Sequence, residues 1–319
     1  MDTLETLTQQ VMSGHKVTRE EALWLSTQPL ELLCRQADKI RRHFCKNTFD
    51  LCTIINGKSG RCSENCKFCA QSAHNHTDAD TYPLLSKEEI LADAKKQAAQ
   101  GVLRYSIVTA GKALSDKEID NMCDTIRQIR QETTLSVCVS FGLLTESQFR
   151  RLKEAGVSRV HNNLETSEKH FPNICTTHTF ADKVSAIQAA QRAGLTVCSG
   201  GIMGMGETMA DRIDMALSLR DLGITSVPVN VLNPIPGTPF GEYPTLSEAE
   251  VLRILALYRF ACRFHPHGWR TWSFTGRRKK LFPFRRKRRH HRRYAHHRRH
   301  YGTNRFTNAH RTWIRGETG

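Results

Sequence analysis

The chain has 319 residues and a formal net charge of +16, with 47 Lys and Arg side chains against 31 Asp and Glu. Residues 263–319 hold 18 of the basic side chains and a single acid, Glu317, so that residues 1–262 are close to neutral. The balance of apolar and charged residues in 1–262 excludes a disordered protein, and no apolar run approaches the roughly 20 residues that would cross a bilayer.

Helix signals begin early in the chain. Residues 1–50 are predicted to form one or two helices, between Arg19 and Phe44, that cap one end of a larger domain. From about residue 84, a unit of helix and strand repeats, and its helix starts have capping-box spacing, in which two side chains satisfy N–H groups of the first turn. These pairs are Ser86 with Glu89, Thr145 with Gln148, and Ser247 with Glu250. Four helical stretches are expected to end at a left-handed glycine, and these are Gly101, Gly156, Gly194 and Gly223.

Short β-branched runs separate these helices. The predicted strands are Leu51–Asn56, Tyr105–Thr109, Leu135–Ser140, Arg159–Leu164, Leu195–Ser199 and Ser226–Leu232. Short apolar strands that alternate with helices predict an α/β fold with a parallel sheet. Six or more such units favour a (β/α)8 TIM-type barrel over a doubly wound sheet. The absence of a glycine-rich phosphate-binding motif after the first strand argues further against a doubly wound dinucleotide-binding fold. Residues 51–262 would form this barrel, without its last one or two units.

A cluster of cysteines follows the first predicted strand. Cys62, Cys66 and Cys69 have the spacing C-x3-C-x2-C in a loop that contains Gly and Ser. Three thiolates on one loop can hold an iron–sulfur cube and leave its fourth iron without a protein ligand. A structural zinc site needs four ligands, for which only His74 and His76 are near, so the iron–sulfur interpretation is favoured over zinc and over unrelated thiols. Eleven Cys in a chain with no signal-peptide pattern favour metal or redox chemistry in the cytoplasm.

These residues carry a resemblance to a known family. The three-cysteine spacing at the end of the first strand resembles the hallmark of the radical SAM superfamily, and the chain resembles the biotin synthase family in particular. The loop from Gly57 to Ser72 matches that family's cluster loop almost residue for residue. Motifs at 162–166, 198–201 and 229–239 follow in the same order. The resemblance covers about residues 15–262.

The resemblance implies an enzyme with two iron–sulfur clusters. Cys62, Cys66 and Cys69 would hold a [4Fe-4S] cluster whose open iron binds S-adenosylmethionine (SAM), and cleavage of SAM would give a 5′-deoxyadenosyl radical. This radical would remove hydrogen atoms from two unactivated carbons of dethiobiotin, and sulfur from an auxiliary cluster would close the ring of biotin. Such a radical needs an enclosed, dry site, which a barrel interior supplies. The family also implies reduced flavodoxin or ferredoxin as electron donor, and a homodimer.

Further cysteines are candidates for the auxiliary cluster. Cys138 and Cys198, inside the third and fifth strands, match family positions that ligate it, and buried core thiols are the alternative. Ser106 stands where many members have a third auxiliary cysteine, which argues against a simple [2Fe-2S] arrangement. Cys175, expected at the same end of the barrel, is a candidate replacement that would support a cluster of another type. The remaining cysteines are predicted to be structural, and these are Cys34, Cys45, Cys52, Cys123 and Cys262.

Polar residues near strand ends are candidates for binding the small molecules. Asn163 and Asn230 resemble positions whose amides hold the ureido ring of dethiobiotin, since an amide donates and accepts at once. Glu165 resembles the acid that accepts hydrogen bonds from the ribose hydroxyls of SAM. The alternative for Asn163 and Glu165 is a strand end that faces solvent. His161 and His178 should lie at the same end of the barrel, where a structural role is the simpler interpretation.

The basic segment 263–319 differs from the family. It holds no Val, one Leu and one Ile, too few aliphatic residues to complete a barrel. One interpretation is a disordered polycation that binds nucleic acid or an acidic membrane surface. The other is a frameshift near Cys262, because codons allowed for 265–272, when read from the second base, permit Ile-Arg-Met-Ala-Gly-Gly-Arg-Gly. That sequence resembles the family motif that brings an Arg to the auxiliary cluster, and the same shift over 290–302 permits the family's last barrel segment.

Three functions follow as hypotheses. The first is the activity of the biotin synthase family, and the second is that of another radical SAM enzyme, such as those of hydrogenase maturation or pyrrolysine synthesis. The third is a nucleic-acid-associated protein that acts through the basic segment, if that segment is genuine. Cys138 and Cys198, together with Asn163 and Asn230, favour the first. If the frame is shifted, the chain lacks its last strands and we expect it to be unstable or inactive.

Overall fold

The structure is a computed structural model that describes residues 3–45 and 52–262. Leu51, at which the first predicted strand begins, lies outside the described residues, and so does the basic segment 263–319 with its shifted-frame motifs. Among the described helices, none has the length and hydropathy needed to span a membrane.

A parallel sheet forms the centre of the domain. Five strands pair in chain order, namely β1 (Cys52–Lys58), β2 (Arg104–Thr109), β3 (Ser136–Ser140), β4 (Val157–His161) and β5 (Thr196–Cys198). Two further strands, β6 (Gly201–Met203) and β7 (Val229–Val231), pair parallel to each other. Single parallel bridges from Glu165 to Gly201 and from Cys198 to Ser226 join this pair to the larger sheet. The α/β class and the parallel pairing are therefore confirmed.

Every predicted strand differs in its bounds by one or more residues, and the differences are largest at β4 and at β7, which begins at Val229 rather than Ser226. β4 ends at His161 rather than Leu164, and the chain beyond it reaches Glu165, which has a left-handed φ of 71°. β5 ends at Cys198 rather than Ser199, and β6, which the sequence does not predict, follows after a break at which the side chain of Asn163 accepts the Gly200 N–H at 3.1 Å. That N–H therefore does not pair with the backbone of a neighbouring strand, and side chains can approach the backbone at this break.

Eight-stranded closure is not formed by the described residues. In the part of the chain that the structure describes, no strand pairs with the outer edge of β1. The loops after the first and last strands nevertheless meet, since the N–H of His76 donates to the carbonyl of Gly237 at 3.0 Å. Gly237 has a φ of 85°, and a Cβ there would lie 1.7 Å from the His76 carbonyl oxygen. The sheet is thus curved so that the carboxyl ends of its two edge strands face each other.

Helices cover the outside of the sheet. They are α1 (Leu4–Met12), α2 (Arg19–Ser26), α3 (Leu30–Cys45), α4 (Lys87–Ala99), α5 (Asp116–Glu132), α6 (Glu146–Glu154), α7 (Phe180–Arg192), α8 (Met209–Asp221) and α9 (Glu248–Ala261). The three predicted capping boxes are confirmed at α4, α6 and α9, and the four predicted glycines have φ between 70° and 105°. Two of the described N-terminal helices, α2 and α3, lie between Arg19 and Phe44, where the sequence predicts one or two, and α1 precedes them. They pack mainly on α8 and α9 and share an apolar core with them.

Candidate active site

The cysteine loop leaves the carboxyl end of β1. Cys62, Cys66 and Cys69 are half-buried, and the loop is closed by hydrogen bonds from the Cys62 N–H to the Gln71 carbonyl and from the Ala73 N–H to the Cys62 carbonyl, at 2.9 and 2.8 Å. The amide of Asn75 donates to the carbonyls of Cys66 and Cys69 at 3.2 and 2.8 Å. These backbone groups are thus hydrogen-bonded within the loop, and the three thiols remain as metal-binding groups. Such a donor set fits a cluster held by three protein ligands.

A second loop, residues 174–178, packs against Cys66. The Sγ atom of Cys175 lies 3.7 Å from Cys66 Sγ and 3.4 Å from Nδ1 of His178. Nδ1 of His178 in turn lies 2.5 Å from a carboxylate oxygen of Glu64. His178, for which the sequence favours a structural role, therefore contacts Cys175 of its own loop and Glu64 of the cysteine loop.

Cys175 gathers with other metal-ligating side chains than its predicted partners Cys138 and Cys198. Among the described residues, the metal-ligating atoms that gather within 4.8 Å of one another belong to Cys66, Cys175 and His178. Neither Cys138 nor Cys198 is in that group. The role of Cys175 in an auxiliary cluster stays a prediction, and its immediate surroundings are those of the cysteine loop.

Hydrogen bonds within this contact shift the pKa values of its side chains. The Cys66 thiol donates to Cys175, which raises the pKa of Cys66 and lowers that of Cys175. Desolvation lowers the pKa of His178, but hydrogen bonds with Cys175 and Glu64 outweigh it and the net shift is upward. For Glu64, desolvation is outweighed by hydrogen bonds from His178 and Thr177, and the pKa falls. The charged forms of Glu64 and His178 are therefore both favoured.

A row of polar side chains crosses the inner face of the sheet. Ser106 on β2, Cys138 on β3 and Arg159 on β4 are register partners, and all three are buried. None of them belongs to the apolar core between sheet and helices. Ser226 continues the row, since its hydroxyl accepts from Nη1 of Arg159 at 3.4 Å and donates to Sγ of Cys198 at 3.2 Å. Both predicted auxiliary thiols thus face a polar interior.

The side chains predicted to bind the small molecules lie around the break between β5 and β6. Asn163 accepts the Gly200 N–H at 3.1 Å and donates to Glu165 at 3.3 Å, and the amide of Asn230 donates to the Gly201 carbonyl at 3.4 Å. A Cβ at Gly200 would lie 1.8 Å from a backbone carbonyl oxygen just before β7, and one at Gly201 would lie 2.3 Å from the Glu165 carbonyl oxygen. Asn163 is buried and Glu165 half-buried, so neither is a strand end that faces solvent.

Lys183 is a site residue that the sequence prediction missed. Its ammonium donates to the side-chain oxygen of Asn162 at 3.4 Å. Desolvation raises the pKa of the Glu165 carboxyl, and the nearby charges of Lys183 and His161 oppose that shift. The capping box at Thr179 places Lys183 in the first turn of α7, directly after the loop of Cys175. That local signal could have identified it.

Several buried polar atoms near the carboxyl ends of β4 and β5 lack a partner in the described part of the chain. They are Nδ2 of Asn162, Oγ1 of Thr166 and Oγ of Ser199. Buried polar groups in native proteins are normally hydrogen-bonded, so each of these atoms needs a partner, and a bound water or ligand can supply it. The interior therefore has the donors and acceptors that a polar ligand would use.

Sequence comparisons extend over most of the chain. The radical SAM superfamily pattern matches residues 58–219, and the Biotin and Thiamin Synthesis associated domain matches residues 228–267. Biotin synthase of Brachyspira hyodysenteriae is 56% identical over 257 residues, which cover 81% of this chain and 77% of that protein. Biotin synthase of Akkermansia muciniphila is 56% identical over 82% of this chain and 81% of that protein.

Solved structures agree in fold. Methylornithine synthase (PylB) has a TM-score of 0.70 at 22% identity and covers 80% of this chain and 76% of its own. The FeFe-hydrogenase maturase HydG from Carboxydothermus hydrogenoformans has a TM-score of 0.68 at 21% identity and covers 81% and 63%. At these identities the likeness concerns the fold alone, and it confirms the radical SAM architecture expected from the sequence.

Proposed function

The chain belongs to the biotin synthase family of radical SAM enzymes, and on this premise we propose that it converts dethiobiotin to biotin by inserting sulfur. The enzyme uses SAM, a [4Fe-4S] cluster and an auxiliary iron–sulfur cluster. The observation that supports this function most strongly is the sequence identity of 56% over four fifths of the chain. The second hypothesis, another radical SAM activity, is supported only by structures near 20% identity.

We propose for these residues the roles that the family resemblance implies, and the positions of the side chains support them. Cys62, Cys66 and Cys69 would hold the [4Fe-4S] cluster, and Cys138 and Cys198 would hold the auxiliary cluster on the inner face of the sheet. When bound, these groups supply the electron that cleaves SAM and the sulfur that enters the product. The chain's own residues bind and orient the reactants, and they exclude water from the radical.

Three polar side chains are proposed to orient the reactants. Asn163 and Asn230 lie on either side of the Gly200–Gly201 break, and their amides would hold the ureido ring of dethiobiotin between them. Glu165 would accept the ribose hydroxyls of SAM with its carboxylate. Its hydrogen bond from Asn163 links the two binding sites, so that substrate and radical source would be positioned by one connected set of groups.

Partners and location are also proposed. Reduced flavodoxin or ferredoxin would deliver the electron, and the enzyme would be a homodimer in the cytoplasm, where a reducing environment keeps cysteine thiols available for cluster ligation. No feature of the described residues favours nucleic acid as a partner. Because the proposed frameshift removes the motif that brings an Arg to the auxiliary cluster, we expect this form to be less active than a frame-restored chain.

The test is anaerobic reconstitution with iron and sulfide, followed by incubation with dethiobiotin, SAM and a low-potential reductant. The chain as given and a frame-restored chain are assayed in parallel for 5′-deoxyadenosine and biotin. Biotin from the frame-restored chain supports the proposal. Formation of 5′-deoxyadenosine without biotin in both chains would favour another radical SAM reaction.

A further inference from the structure

The contact between the cysteine loop and residues 174–178 contains the atoms of a second kind of metal site. Sγ of Cys66, Sγ of Cys175 and a ring nitrogen of His178 all lie within 4.8 Å of one another, in a largely buried position. We propose that, in the chain without its clusters, these side chains bind a single Zn²⁺ ion. This site shares Cys66 with the [4Fe-4S] cluster, so the inference rests on the proposed function only for the claim that the two occupants exclude each other.

The distances match those of a tetrahedral zinc ion. Bonds of about 2.3 Å to sulfur and 2.0–2.1 Å to nitrogen place two sulfur ligands about 3.8 Å apart, and a sulfur and a nitrogen ligand about 3.6 Å apart. The structure has 3.7 Å between the two Sγ atoms and 3.4 Å between Cys175 Sγ and His178 Nδ1. In an iron–sulfur cube, each thiolate binds a different iron and the ligand sulfurs lie farther apart. The spacing of Cys66 and Cys175 therefore fits one ion rather than a cluster.

Glu64 is the candidate fourth ligand. Its carboxylate oxygen lies 2.5 Å from Nδ1 of His178 and also accepts from the hydroxyl of Thr177 at 2.8 Å. Binding of Zn²⁺ at Nδ1 displaces the proton held there, and the Cys66 thiol loses the proton that it shares with Cys175, so that both protons go to solvent. The carboxylate then has no imidazole donor, and because its oxygens do not lie within 4.8 Å of all three ligand atoms, a larger movement of this side chain or a water molecule supplies the fourth tetrahedral position.

The two loops are held together by hydrogen bonds that do not involve the ligand atoms. The Lys67 N–H donates to the Ile174 carbonyl at 2.9 Å. The side chain of Asn65 accepts the Thr176 N–H at 2.9 Å and donates to the Thr176 hydroxyl at 2.6 Å. Both sets of ligands are thus in place before a metal arrives, which reduces the conformational cost of binding.

Cobalt(II) is the probe, because thiolate-to-cobalt charge transfer reports the thiolates bound. The full-length chain is stripped of clusters, reduced and titrated without oxygen, and Zn²⁺ is then added in competition to give its affinity. We expect a two-thiolate band that saturates at about one cobalt per chain. The His side chains of 263–319 give no thiolate band, so they do not contribute to this readout.

Variants separate this site from the cysteine motif. Replacing a ligand should weaken zinc binding by at least the 10- to 100-fold typical of outer-shell changes, so Cys175→Ser should lose about 100-fold or more and His178→Gln at least about 10-fold. Cys62→Ser and Cys69→Ser are matched controls that should keep the band. A band unchanged in Cys175→Ser, or lost equally in Cys69→Ser, overturns the proposal. Circular dichroism shows whether each variant is folded, and Cys66→Ser provides a second ligand variant.

Mutual exclusion is tested by the order of loading. Wild-type chain loaded with Zn²⁺ before iron and sulfide should show several-fold less of the SAM-responsive [4Fe-4S] electron paramagnetic resonance signal than chain loaded in the reverse order. Equal signals would overturn the claim that Cys66 is shared. The cobalt titration uses cluster-free protein, whereas the proposed function is tested by biotin formation in loaded protein, so failure of one leaves the other measurable.

Discussion

The hydroxyl of Ser226 donates a hydrogen bond to Sγ of Cys198 at 3.2 Å, across the bridge that joins the end of β5 to the residues before β7. If Cys198 ligates the auxiliary cluster, this bond stabilises the more negatively charged, reduced state. We predict that Ser226→Ala lowers the reduction potential of that cluster, as measured by a spectroscopic redox titration. Ser136→Ala, at the start of strand β3, is the control and should leave the potential unchanged. An unaltered potential in Ser226→Ala would argue against Cys198 as a ligand.

Cys175 is the residue for which sequence and structure suggest different partners. The prediction from the sequence is that Cys175 supports an auxiliary cluster different in type from [2Fe-2S], so that Cys175→Ala would lower iron and sulfide content after reconstitution. Cys138→Ala serves as the reference for loss of an auxiliary ligand. Iron and sulfide content unchanged in Cys175→Ala but reduced in Cys138→Ala would contradict the prediction.

Local signals allowed the prediction of elements, whereas contacts between distant loops could not be predicted. The capping box at Ser86 and the left-handed Gly101 each depend on a few neighbouring residues, and both were confirmed. The contact of Cys66 with Cys175 joins residues 109 positions apart, and neither loop carries a signal of the other. The interruption after Cys198 likewise depends on the side chain of Asn163, on another strand.

We expect the ionised carboxylate of Glu165 to lower the stability of the fold and to strengthen SAM binding. Its pKa is raised above the ordinary value of 4.5, mainly by desolvation, so its contribution to stability is full at low pH and is lost as the pH rises through the folded-state pKa. We predict that Glu165→Gln leaves the thermal midpoint equal or higher at pH 7, with the difference from wild type shrinking towards pH 4. Loss of a charged acceptor for two hydroxyls should weaken SAM binding about 10- to 100-fold. A large fall in the midpoint together with unchanged SAM affinity would contradict both roles.

The frameshift interpretation is decided at the gene. We expect resequencing across codons 258–268 to show a base gained or lost relative to an uninterrupted frame that encodes the Ile-Arg-Met-Ala-Gly-Gly-Arg-Gly motif. An uninterrupted frame with the present codons would favour the basic segment as written. In that case, binding to a polyanion should weaken steeply when the salt concentration rises from 50 to 200 mM, by about 10³-fold or more for six or more charge contacts.

Asp211 provides a test of stability that does not depend on any cluster. Its carboxylate accepts from the Thr208 hydroxyl at 2.6 Å and from the Ser167 hydroxyl at 2.7 Å, which ties the start of α8 to the chain after β4. Desolvation opposes ionisation, but hydrogen bonds from Thr208 and Ser167 lower the pKa from 3.8 to about 2. A lowered pKa means stability that is present above 3.8 and is lost as the pH falls through about 2.

Asp211→Asn should therefore reduce the free energy of unfolding by about 2 kcal/mol at pH 7, and the deficit should narrow between pH 4 and pH 2. Urea unfolding of the cluster-free chain at several pH values measures this difference. Asp214→Asn, on the same helix in an exposed pair with Arg19, is the matched control and should cost less than about 1 kcal/mol. A deficit in Asp211→Asn that does not change with pH would mean that the lost contribution is not that of the ionised carboxylate.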